Sequence, residues 1–172
     1  GKDNGPGKRT GIQAFLENDN ISMIAVPGIT MPGVIVSLVA HCENTASRFA
    51  VIDMPKDMSD TKELIEYRDI IDSTYAAMYH PWIQNFDRSS QKADYFPPSG
   101  AVMGIYARTD ISRGVHKAPA NETVMCTDLN IHFGKGEQDI LNPAGINIIR
   151  KLPGQGIRVW GARTASSNAA FK

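Results

Sequence analysis

The fold class these 172 residues predict is an α/β layered domain, with a largely parallel sheet, flanking helices and a C-terminal antiparallel hairpin. Two short apolar runs of strand character are each followed, after a Pro or Gly turn, by a stretch with helical periodicity, and a third strand run succeeds them. Strands that alternate with helices imply right-handed crossovers and a parallel sheet covered on both faces. At the far end, two apolar runs flank Pro153-Gly154-Gln155-Gly156, a hairpin turn.

Taken in order, Gly1 to Thr10 has linker composition, so residues 1–11 are expected to form a flexible leader to a domain spanning 12–164. Ile12 to Leu16 is a short apolar patch, and Ile21 to Val26, closed by Pro27-Gly28, reads as a buried strand. Thr30 is placed to cap a helix with Pro32 in its first turn and Val34, Ile35, Leu38, Val39 and Cys42 on one face. Phe49 to Ile52 is a second buried strand. Ser59 or Asp60 caps a helix running to Asp72, with Leu64, Tyr67, Ile70 and Ile71 inward and Lys62, Glu66 and Asp69 outward. Tyr75 to Tyr79 is a third strand, after which Trp82, Ile83 and Phe86 lead into a polar loop, Asp87 to Asp94.

Pro97 and Pro98 suit the start of the next helix, and Gly114 suits its end. Its first two turns are apolar nearly all round. Gly100, Gly104, Ala107 and Ile111 share one stripe, which is expected to bring the backbone close to the sheet; Gly104→Leu would then overpack at a cost of about 1–3 kcal/mol. Val124 to Phe133 holds at least one extended piece, Glu137 to Leu141 is a helical turn stopped by Asn142-Pro143, and Ile146 to Leu152 and Ile157 to Ala162 form the closing hairpin. Residues 165–172 read as a truncated lead into a further C-terminal domain.

Composition excludes several classes of function. Eighteen basic residues balance eighteen acidic ones, so no summed field attracts nucleic acid, anionic lipid or an acidic substrate. No transmembrane run or signal-peptide core is present, and Cys42 and Cys126 form no C-x-x-C pair, which points to folding in a reducing cytosol.

Site chemistry is sparse. The four histidines, His41, His80, His116 and His132, lack i,i+4 pairing and cysteine partners, so no metal site is expected. Gly28 and Gly33 match neither phosphate-binding glycine motif, so no cofactor is expected. Asp53, Glu137 and Asp139 lie near element ends, where capping or solvation outweighs acid/base work. Asp19, His41 and Ser99 occur in the order of the subtilisin-type triad, with Ser99 at a helix N-terminus, but Asp19 lacks D-[ST]-G and His41 lacks H-G. Capping suffices to account for Ser99, and no catalytic residue is assigned. The rival reading, a serine hydrolase, would require Ser99 to react with a fluorophosphonate probe.

The blocks ISMIAVPG (21–28), YAAMYHPWIQ (75–84), PPSG (97–100), RGVHKAPAN (113–121), QDILNPAGIN (138–147) and WGART (160–164) resemble the tail sheath proteins of contractile bacteriophages and related injection particles. That resemblance implies a subtilisin-like topology without catalysis. It further implies a structural subunit packed in hexameric rings, stacked helically around an inner tail tube between baseplate and tail terminator. Contraction of such a sheath drives the tube through the host envelope, so the implied location is the virion tail, after synthesis in the bacterial cytoplasm. Sheath subunits of this type continue past the last block, so this length of chain is expected to be monomeric alone. The leader Lys2 to Arg9 and the loops Asp87 to Asp94 and Lys117 to Glu122 are candidate contact elements.

Overall fold

The computed structural model describes residues 1–114, 117–168 and 170. Strands β1 (Met23–Ile24), β2 (Phe49–Asp53), β3 (Ala76–His80), β7 (Ile146–Leu152) and β8 (Gly156–Val159) form a five-stranded sheet in that spatial order. The first four run parallel, and β8 pairs antiparallel with β7 through Ile149↔Val159 to Leu152↔Gly156. A second sheet has the order β5-β4-β6, with β4 at Ile83–Asp87, β5 at Lys92–Phe96 and β6 at Asp128–Leu129.

Side chains alternate across the main sheet, as the strand period requires. Ala50, Ile52, Met78, Ile146 and Ile148 point to one face and meet Ile35, Leu38 and Val39 of α1 (Pro32–Thr45), Leu64 of α2 (Thr61–Arg68) and Leu141 of α4 (Lys135–Leu141). Val51, Ala77, Tyr79 and Ile149 point to the other and meet Val102 and Ile105 of α3 (Ser99–Arg113) together with Ile83 and Leu129 of the small sheet. The free thiols are separated by this arrangement, since Cys42 sits in the first cluster and Cys126 against the second.

Several boundaries differ from expectation. The polar stretch Asp87 to Asp94 is a β-hairpin, with Asp87 paired to Lys92 and Asn85 to Asp94. Its polarity reflects solvent exposure of a small edge sheet. The Asp87 carboxylate closes the turn by accepting from the Ser89 and Ser90 amides and the Ser89 hydroxyl. Thr30 does not cap α1; Met31 occupies that position without a side-chain bond, and the Thr30 carbonyl accepts from the Tyr67 hydroxyl at 2.7 Å. Asp60 caps α2 through the Lys62 and Glu63 amides, but the helix ends at Arg68 rather than Asp72. The first strand is two residues long, at an edge of the sheet.

The largest correction concerns α3. Ser99, Val102, Ile105 and Thr109 are its buried face, while Gly100, Gly104 and Ala107 are exposed and Ile111 is 89% exposed. A Cβ built at Gly100 or Gly104 would meet nothing within 4 Å. With both sides of the first turns apolar, burial goes to the larger side chains, because each additional buried methylene is worth about 0.8 kcal/mol. Tyr106 adds a hydrogen bond between its hydroxyl and that of Tyr79 on β3, at 2.8 Å.

This geometry reverses the expectation for Gly104. Gly104→Leu should leave stability unchanged or raise it by up to about 1 kcal/mol, from helix propensity. Ile105→Ala, one position away, should cost about 2–5 kcal/mol. Urea unfolding of the two variants checks this, and a loss in the leucine variant matching that of the alanine variant would put the stripe back against the sheet.

Candidate functional site

Asp53 ends β2 and is 2% exposed. Its Oδ1 accepts the Ser99 amide at 2.7 Å, and its Oδ2 accepts the Ser99 hydroxyl at 2.7 Å and the Gly28 amide at 3.1 Å. The carboxylate thus caps α3 from a distant strand. It lies where the helix dipole favours a negative charge and where amides lack intrahelical partners. Burial raises the Asp53 pKa above the usual carboxylate value, while the bonds from Ser99 and Gly28 act the other way. Beside it, burial and then the Asp53 charge push the Tyr67 hydroxyl up to about 12, so Tyr67 stays a neutral donor.

The residues of the sequence-level triad are otherwise engaged. Asp19 is exposed in the turn after the 3₁₀ helix Gly11–Glu17. His41 is buried on α1, and its Nε2 lies 2.8 Å from Nη1 of Arg48. A guanidinium only donates, so Nε2 is the acceptor and Nδ1 carries the proton. Burial, and secondarily Arg48, lowers the His41 pKa. The same arginine donates to the carbonyls of Phe15, Asn18 and Ile21, making it a strut between α1 and the preceding chain. Ser99 is fully buried against Asp53. Each of the three has its own structural surroundings, and Ser99 has no open approach.

A second polar cluster holds the loop after β2. Trp82 Nε1 donates to the Met54 carbonyl at 2.9 Å, Asn130 Nδ2 to the Lys56 carbonyl at 2.6 Å, and His80 Nε2 to the Met58 carbonyl at 2.8 Å. The Lys56 ammonium lies over the rings of Trp82 and Tyr95. His80 is fully buried, with its ring 5.5 Å from that of Phe133, and burial lowers its pKa to about 4 against the bond to Met58.

The blocks 138–147 and 160–164 meet in space. Asn147, fully buried on β7, accepts the Arg163 amide and donates to the Arg163 carbonyl, both at 2.8 Å. Its side chain replaces a strand partner. Gln138 of α4 donates to the Trp160 carbonyl at 2.9 Å. Between them a Cβ on Gly161 would lie 2.7 Å from Asn147 Oδ1, so only glycine fits. A cavity of about 400 Å³ opens here, lined by Ala120, Asn121, Gln138, Asn142, Trp160 and Arg163 among others. None of these side chains is a nucleophile with a base beside it.

The remaining candidates cap or face solvent. Glu137 accepts the Gly134 amide at 2.9 Å, and Asp139 is exposed. The Gly28 amide donates to Asp53. His132 lies 3.3 Å from Asp128, and His116 lies outside the described residues. Among the described residues no group of three ligating side chains could hold a metal, and no helix is long and apolar enough to cross a membrane. Sequence reasoning missed the Asp53–Ser99–Gly28 cluster, because its members lie 25 and 46 residues apart.

Two measurements test this account of the polar clusters. Asp53→Ala strands two backbone amides and should lower stability by about 3 kcal/mol, while Asp53→Asn, which keeps an acceptor, should cost roughly half of that. Chemical denaturation reads both, and equal losses would mean the carboxamide cannot replace the cap. His80 is held neutral in the folded state, whereas the unfolded chain takes up a proton below about 6.5. Stability from this group is therefore full above pH 6.5 and lost as pH falls toward 4. The loss should reach about 3 kcal/mol and flatten below that pH. His80→Gln should remove most of this slope in a series of thermal melts.

Comparison with known proteins completes the picture. A family model described as the phage tail sheath protein central domain matches residues 4–165. A prophage major tail sheath protein of Pseudomonas aeruginosa (strain UCBPP-PA14) is 26% identical over 177 aligned positions, covering 96% of this chain and 45% of that protein. The tail sheath protein of Salmonella phage ViI is 24% identical, over 73% of this chain and 24% of its own length. Among solved structures, the helical sheath of the anti-feeding prophage in its contracted state superposes with a TM-score of 0.73 at 28% identity, over 90% of this chain and 42% of that one. A chain of the baseplate of the same particle gives 0.71 at 27%, over 88% and 40%. This chain therefore spans less than half the length of each of these relatives. With the family model matched along nearly its whole length, the chain belongs to the phage tail sheath proteins, as their central domain.

Proposed function

We propose that this chain is the central rigid body of a contractile tail sheath subunit. Copies polymerise in hexameric rings, stacked helically around an inner tail tube between baseplate and terminator, and contraction drives the tube through a host envelope. The observation that carries the reading is the family match over residues 4–165, supported by the likeness to a contracted helical sheath. A largely parallel sheet with helices on both faces is the arrangement a subtilisin-like topology calls for, and we assign that topology here. The subunit acts in the virion tail after synthesis in the bacterial cytoplasm, with no role for nucleic acid or membrane insertion.

In this reading no bond is made or broken. His41 and Ser99, two of the three residues a hydrolase would use, are committed to holding helices and strands together through Arg48 and Asp53, and the third, Asp19, is exposed. Such commitments suit a body that must keep its shape while its neighbours change places.

Negative-stain imaging of the gene product that carries this domain should show hollow, transversely striated cylinders. Dispersed globular particles at every concentration and salt condition tried would overturn the reading.

A further inference from the structure

Charge is balanced over the chain but not over its surface. On the sheet face covered by α1, α2 and α4, the residues Asp57, Asp60, Glu63 and Glu66 are all exposed, forming a ridge along α2 and its entry with Lys62 as the exposed cation among them. Among the described residues no ion pair answers Asp57, Glu63 or Glu66. Elsewhere, at the C-terminal end of α3 beside β8, four cations converge on the segment Asn121–Thr123. Arg108, Arg113 and Lys117 reach Glu122 at 3.7, 3.9 and 3.8 Å, Arg108 also donates to the Thr123 carbonyl, and Arg158 donates to the Asn121 carbonyl at 2.9 Å. Arg108, Arg113 and Lys117 share Glu122 as their carboxylate, and with Asp110 counted as the acid of α3 itself the four cations still outnumber the two acids. The cluster keeps a surplus of positive charge, and the side chains of Arg108 and Arg113 are 51% and 56% exposed.

The ridge packs over one face of the sheet and the cluster belongs with the elements of the other, so the two cannot meet within one chain. Complementary patches on different surfaces of one molecule make a heterologous contact, which propagates as a ring or an open helix. We propose that the cationic cluster around Asn121–Thr123 of one copy docks on the acidic α2 ridge of the next, in a head-to-tail contact between copies. The inference rests on the reading that copies stack, and names surfaces through which they do so. Charge complementarity of this kind fixes register and suppresses wrong pairings.

Zero-length carbodiimide cross-linking tests it, since the reagent joins a lysine to a carboxylate only in direct contact. In an equimolar mixture of isotope-labelled and unlabelled chain at millimolar concentration, intermolecular links from Lys117 should concentrate on Asp57, Asp60, Glu63 and Glu66. Arg108→Glu with Arg158→Glu should cut these links at least about tenfold, because like charges across a contact cost several kcal/mol. Adding Glu63→Arg and Glu66→Arg to that chain should restore links from Lys117 to Asp57 or Asp60. Links from Lys117 as scattered as those from Lys92 or Lys135, or a yield indifferent to reversal, would overturn the contact. Circular dichroism confirms the fold of each variant, all of whose changes lie outside the buried core. Imaging of cylinders is read separately: cylinders with scattered links sink this contact alone, and focused links without cylinders sink the sheath reading alone.

Discussion

A buried carboxylate with three donors constrains this structure more than any apolar contact. Taking a charge out of water is costly unless each lone pair is answered, and Asp53 is answered by the β1–α1 loop and the first turn of α3. Each donor is useful only in one geometry, so the end of β2, the Gly28 turn and the start of α3 are fixed relative to one another. The direction of α3 follows, and with it the choice of Val102 and Ile105 as its inward face. Burial of the larger side chains favours the same face, and the carboxylate adds a fixed position and direction that hydrophobic burial, which is not directional, does not supply. The charge supplies that direction.

The same logic recurs wherever the chain lacks regular pairing. Asn147 stands in for a strand beside Arg163, Arg48 gathers three carbonyls of the preceding segment, and Trp82, Asn130 and His80 each hold one carbonyl of the loop after β2. Irregular backbone is thereby given partners that a ladder would otherwise provide, which is what buried polar groups demand. These side chains tie the irregular backbone at the ends of the sheet to its core.

Legibility from sequence followed the range of the interactions involved. The strands Phe49–Asp53 and Ala76–His80 and the helices over α1 and α2 were readable, because their apolar periodicity is written within ten or fifteen residues. The cap of α2 was readable for the same reason as one of two residues, Ser59 or Asp60, and Asp60 is the one that serves. The face of α3 was not, because a helix apolar on all sides carries little phase, and the contact that anchors its start, with Asp53, is 46 residues away. The hairpin Asp87–Asp94 was hidden by its polarity, since a small exposed sheet has no apolar face long enough to show a period of two. The blocks containing Asn147 and Gly161 could be recognised as a pattern, but their physical reason, one side chain replacing a strand and one glycine admitting it, appears only when the blocks meet.

Stiffness inside and weakness outside belong together in such a subunit. Each buried polar group stranded by a distortion costs on the order of 1–3 kcal/mol, and several would be stranded at once if α3 shifted relative to β2. An exposed ion pair is worth about 0–1 kcal/mol. In the proposed assembly, forces passed between neighbours through pairs of that kind would therefore break the contact before they bent the body. Charged patches can exchange partners with little memory of exact geometry, because Coulomb attraction falls slowly with distance while hydrogen bonds within the core do not tolerate a slip. A body with patches of opposite charge on different faces and its interior locked by directional bonds is thus suited to being moved as a unit, with rearrangement confined to its surfaces.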